Sequence, residues 1–175
     1  MRLSAAGHPL AVWLCDFRSH STVVLTLRAY VIRDGRCESL GEAVALIKES
    51  TEGLLYVASN KTEARDAVPH EIGILGDVTH RCVDAKLTQV DLPPTLDWER
   101  GFTLAQPTSV AIGEEAILRV MLFREKESSD TEASQGIVRQ SPFASLTFAE
   151  VRKVAESLAD ATTILITVTA QQLRP

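Results

Sequence analysis

Aromatic residues are scarce, only 5% of the chain's 175 residues, so aliphatic side chains must supply most of any buried area. Cysteine is scarcer still. Cys15, Cys37 and Cys82 are too few and too scattered for a disulfide framework, and the odd count leaves one unpaired. Reduced thiols in a cytoplasmic compartment are the simpler expectation. Long apolar runs are also missing, and none approaches the roughly 20 residues that span a bilayer. The run from Leu10 to Phe17 is broken by Asp16 and closed by Arg18, which is short for a signal core. A soluble chain that is not exported is expected, with no membrane association. Positive charge is in deficit, 18 Lys and Arg against 23 Asp and Glu, for a net charge of -5. That balance does not favour phosphate backbones, so RNA or DNA is a secondary candidate partner.

Motifs of catalysis are absent as well. There is no G-x-S-x-G elbow, no G-x-x-x-x-G-K-[ST] loop and no G-x-G-x-x-G turn, so no cofactor is implied. The nearest glycine-rich stretch, Gly73-Ile-Leu-Gly76-Asp77, lacks the lysine and the following helix and reads as a strand running into a turn.

What is present is an ordinary globular balance, 45% hydrophobic and 23% charged, enough to fill one core over residues 1–175. Leu10 to Phe17 is apolar on both faces, as a central strand is. In Thr22 to Ile32, Val23, Leu25, Leu27, Ala29 and Val31 share one face, and a hairpin with the first strand is expected. Asp34-Gly35 turns the chain. Ser39-Leu-Gly-Glu42 has the form of a capping box, and Leu40, Ala43, Val44 and Ile47 follow at helical spacing. A first helix is predicted there, then a strand over Leu54 to Ala58. Thr62 to Ala67 reads as one helical turn, and His70 to Leu75 and Cys82 to Val90 read as strands.

The last third repeats the order. Val110 to Ile112, a turn at Gly113-Glu114 and Ala116 to Phe123 suggest a second hairpin. Thr147-Phe-Ala-Glu150 is another capping box, with Phe148, Val151, Val154, Ala155 and Leu158 on one stripe. The last strand, Thr163 to Thr169, alternates with Ile164, Ile166 and Val168 inward. Residues 125–142, polar and Ser-rich, read as a mobile loop. The expected fold is therefore α+β: a mainly antiparallel sheet with two principal helices packed on it, in a pseudo-symmetric ferredoxin-like or related arrangement.

Candidate functional residues follow from residue type. Arg28 and Tyr30 lie on the mixed face of the second strand, and Arg119 and Phe123 on the second hairpin. Arg and Tyr are common anchors of protein interfaces, and basic groups among aromatics also suit single-stranded nucleic acid. His80, Cys82 and Asp84 fall two apart along a strand and so point to one side. They are residue types that bind metal, although zinc needs three or four ligands and no C-x-x-C or H-x-x-x-H completes the set. Cys37, near Arg33 and Arg36, is a candidate reactive thiol, and Asp16 a carboxylate set into an apolar strand. The leading expectation is a non-enzymatic protein-interaction module (adaptor, chaperone, inhibitor or assembly subunit) that binds another protein or itself. An enzyme or metalloprotein built from scattered Cys, His and Asp, or a nucleic-acid-binding sheet, are the alternatives.

Overall fold

A computed structural model describes residues 8–17, 22–47, 51–59, 68–76, 82–92, 96–103, 110–125, 146–158 and 161–173. Within them the strands are β1 His8–Phe17, β2 Val23–Arg33, β3 Arg36–Ile47, β4 Thr51–Ser59, β5 Glu71–Gly76, β6 Cys82–Lys86, β7 Leu96–Thr103, β8 Glu115–Glu125 and β9 Ala161–Gln172. One helix, α1 Phe148–Glu156, precedes β9. The strands form a four-stranded sheet ordered β1-β4-β5-β6 and a five-stranded sheet ordered β3-β2-β9-β8-β7, with every neighbouring pair antiparallel.

This overturns the α+β expectation of two principal helices on one shared sheet. The segment predicted as the first helix is strand β3, and the reason is visible in its register. Asp34 (φ 51°) and Gly35 (φ 69°) both adopt left-handed backbone, the geometry of a tight two-residue hairpin turn. That turn folds β3 back along β2. Ala29 lies opposite Gly41 but Tyr30 opposite Ser39, so one extra residue bulges at Leu40. The bulge turns Leu40 inward, three residues before Ala43, while Ala43 and Ile47 keep the ordinary two-residue period. A strand with one bulge thus mimics a helical spacing. Val44, the remaining member of the supposed stripe, points the other way and is exposed.

The expected hairpins are corrected too. The first strand pairs with β4 in the other sheet, and β2 pairs with β3 and β9. Beside β8 lie β7 and β9; Ile112 makes only an isolated bridge to Ala170. The strand expected over Cys82 to Val90 stops at Lys86. The helical turn at Thr62 to Ala67 and the loop at 125–142 lie outside the described residues, apart from the loop's first position, Glu125, which closes β8.

The core lies between the sheets. Leu25, Leu27, Ala29 and Val31 of β2 and Ile164, Ile166 and Val168 of β9 pack against Leu55, Val57, Ile72 and Ile74 of the other sheet. This is the interdigitated interior of a β-sandwich. A second, smaller cluster covers the outer face of the five-stranded sheet, where Val151 and Ala155 of α1 meet Ile32, Val120, Leu122 and Leu165. The capping box of α1 forms in full. Thr147 N donates to Glu150 Oε2 at 2.8 Å, and Glu150 N donates to Thr147 Oγ1 at 3.4 Å. With layers on both sides, β9 is buried at all ten positions from Ala161 to Ala170. Each fully buried Ile or Leu there contributes roughly 1.5–3 kcal/mol. Among the described residues no helix is long and apolar enough to cross a membrane.

Candidate functional site

The part of the five-stranded sheet's outer face that lies beside α1 is a mixed polar and apolar surface. Its residues come from alternate positions of β2, β3, β8 and β9, because side chains in a strand point to opposite faces in turn. Arg28 lies opposite Glu42 and Thr167, and Tyr30 opposite Ser39 and Leu165. Thr26 lies opposite Val44 and Thr169, and Thr169 in turn opposite Glu115.

Glu115 gathers this cluster. Its Oε1 accepts from Tyr30 Oη at 3.2 Å and from Thr167 Oγ1 at 2.6 Å. Arg28 Nε donates to Glu42 Oε2 at 3.1 Å. Burial works against the Arg28 charge, but the Glu42 hydrogen bond, with Tyr30, Glu42 and Glu115 nearby, outweighs it and raises the pKa. Burial and the adjacent Glu115 charge likewise raise the pKa of the Tyr30 phenol, which therefore stays a donor across the physiological range. The Tyr30 ring also packs on Phe148 of α1, centroids 5.4 Å apart and tilted by 43°. The aromatic contact anchors the helix and sets one wall of the site. The other side is aliphatic: Val44 and Leu46 on β3 are 45% and 57% exposed. Two carboxylates against one guanidinium leave the polar part of the surface acidic.

Of the four residues expected to form an interface, the structure brings Arg28 and Tyr30 together and places Arg119 and Phe123 elsewhere. Phe123 is buried in the inter-sheet core. Arg119 is also buried, and its Nη1 donates to the Leu10 carbonyl of β1 at 2.6 Å, tying one sheet to the other. A shift in register between Ile117 and Arg119 turns Arg119 toward the four-stranded sheet. Burial lowers its pKa, and among the described residues no carboxylate bonds it.

The supposed metal row is only partly described. Cys82 and Asp84 sit in β6 opposite Leu75 and Gly73, Asp84 is exposed, and His80 lies outside the described residues. No group of three His, Cys, Asp or Glu suited to a metal occurs among the described residues. Burial raises the pKa of Cys37, an effect that Arg152 partly opposes and Glu156 reinforces, so this environment does not favour the reactive thiolate for which Cys37 was a candidate. Cys15 is raised in the same way by burial. Asp16 lies opposite Glu52 in the pairing of β1 with β4.

Glu42, Glu115 and Thr167 were not singled out from sequence. Thr167 was legible only as a member of the last strand that alternates with the inward Ile166 and Val168. Glu42 was hidden by its resemblance to a helix cap, and Glu115 by its place just past a turn. No family model, curated protein or solved structure matches the chain.

Proposed function

We propose that this protein is a non-enzymatic interaction module that binds another protein through the exposed outer face of its five-stranded sheet. One observation carries the reading. The aliphatic residues Val44 and Leu46 stand exposed beside the half-buried Arg28, Tyr30 and Glu115 and the exposed Glu42, whose polar groups are held in place by hydrogen bonds and packing. Apolar side chains rimmed by ordered polar groups are the usual make-up of a protein-binding patch. Arg28 and Tyr30 supply the kind of anchors on which binding energy concentrates. The acidic surplus of this cluster and of the whole chain argues against nucleic acid as the occupant.

The test is retention of partners from a lysate of the source by the full-length chain. The native protein retains a defined partner in stoichiometric amount; Leu46→Asp and Arg28→Glu, both at exposed or half-exposed positions, fold normally and lose it. A native chain that retains nothing, or variants that retain as much as the native chain, would refute the reading.

A further inference from the structure

The four-stranded sheet carries a feature the proposed partner site does not use: the free edge of β1. Among the described residues β1 pairs only with β4, and its other edge has no strand beside it. Solitary edges are normally blunted by charge, proline, a bulge or a covering group. The first half of β1 has three of these devices. Pro9 has no N–H to offer, the pairing is irregular between Pro9 and Ala11, and the Arg119 guanidinium occupies the Leu10 carbonyl. From Ala11 to Phe17 the strand reads AVWLCDF, in which Asp16 is the one charged residue. There Val12 is 44% exposed and Leu14 88% exposed, the most exposed large hydrophobic side chain among the described residues.

We infer that this second half of β1 is a self-association edge, at which two copies of the chain pair antiparallel about a two-fold axis passing at Leu14. An antiparallel edge is complementary to itself, so a second copy needs no feature beyond those already present. Every neighbouring pair in both sheets is already antiparallel. The new pair joins two four-stranded sheets into one of eight, keeps both outer faces on the same side and sets Leu14 beside its own copy. Side chains directly opposite in such a pair lie about 4.5–5.5 Å apart at Cβ, close enough for the two leucines to cover each other. About an axis at Leu14 the pairing runs from Ala11 to Phe17 and sets Val12 opposite Asp16 of the second copy, while Pro9 and the irregularity beside it keep the start of the strand out of the pair. This inference is independent of partner binding at the five-stranded sheet.

Solution mass of the full-length chain tests it. The native protein sediments as a dimer. Leu14→Lys, which sets two lysines opposite each other, and Leu14→Glu, which sets two glutamates, are each monomeric, and an equimolar mixture of the two recovers the dimer. Leu14→Cys forms an intermolecular disulfide on mild oxidation, whereas Leu46→Cys on the other sheet does not. Circular dichroism unchanged from native confirms that the variants fold. A native monomer at roughly 100-micromolar concentration, far above the Kd expected of a stable interface, overturns the inference. So does a dimer that survives Leu14→Lys, or a mixture of the charged variants that stays monomeric. Loss of partner retention in Leu46→Asp with the dimer intact separates the two interfaces.

Discussion

Gly73 and Tyr56 make a pair whose energetics are set by one close approach. Both lie on the outer face of the four-stranded sheet, directly opposite each other in the β4–β5 pairing. A Cβ added at Gly73 would run into Tyr56 Cε1 and lie 2.5 Å from its hydroxyl oxygen. Carbon atoms pack at about 3.5–4.0 Å, so Gly73→Ala must push the ring aside by more than about 1 Å. The ring is buried and its hydroxyl donates to Glu71 Oε1 at 2.9 Å, on a glutamate that is itself 5% exposed. Weakening a bond to a buried carboxylate costs roughly 1.5–3 kcal/mol. Re-exposing on the order of 40 Å² of ring adds about 1 kcal/mol. Against this stands the gain of about 0.5–1 kcal/mol that alanine ordinarily brings over glycine inside a strand. The clash wins, and Gly73→Ala is expected to destabilise by about 2–3 kcal/mol, a fall in Tm of roughly 5–10 °C for a chain of this size. The sign should reverse once the ring is gone: in a Tyr56→Ala background, Gly73→Ala becomes neutral or stabilising. Thermal unfolding of the four proteins in this cycle measures the coupling directly. Equal destabilisation in both backgrounds would show that the glycine is not there to admit the ring.

Further outcomes follow from local geometry. The Glu150 carboxyl is held below its ordinary pKa by the Thr147 backbone N–H and hydroxyl. A depressed folded-state pKa means that this cap is fully present above the ordinary carboxylate range and is lost as pH falls through the lowered value. The protection of the Val151 amide against exchange, measured relative to the unprotected rate at the same pH, should therefore fall on acidification, since its N–H donates to the Thr147 carbonyl. Thr147→Ala should cost about 1 kcal/mol and abolish most of that pH dependence; an unchanged profile would count against the cap. Burial raises the pKa of both Cys15 and Cys37, so in Ellman titration of a Cys82→Ser variant near neutral pH both should react more slowly than free cysteine. A fast-reacting Cys37 would contradict this.

Local signals read well wherever one side chain and its immediate neighbours decided the outcome. The Thr147 capping box, the α1 stripe at Val151 and Ala155, the inward row Ile164, Ile166 and Val168, and the Asp34-Gly35 turn all follow from short-range chemistry, and the structure contains each of them. The Ser39–Glu42 segment failed because a bulge inserts one residue into a two-residue period and so imitates helical spacing. Asp34-Gly35 was the competing clue: an Asp-Gly pair flanked by alternating hydrophobic residues specifies a hairpin, and that requires a strand after it.

Composition and alternation alone determined that aliphatic side chains would dominate the interior, and that Arg28 and Tyr30 would share the mixed face of β2. Tertiary structure decided which strands pair, since β1 and β2 are adjacent in sequence yet belong to different sheets. It also decided that Arg119 and Phe123 are buried, through a register shift in β8, and that Glu42 and Glu115 stand around Arg28 and Tyr30. The physical reason is the same throughout. A period of two states which residues share a face, but long-range pairing chooses the neighbours of that face and the layer that covers it.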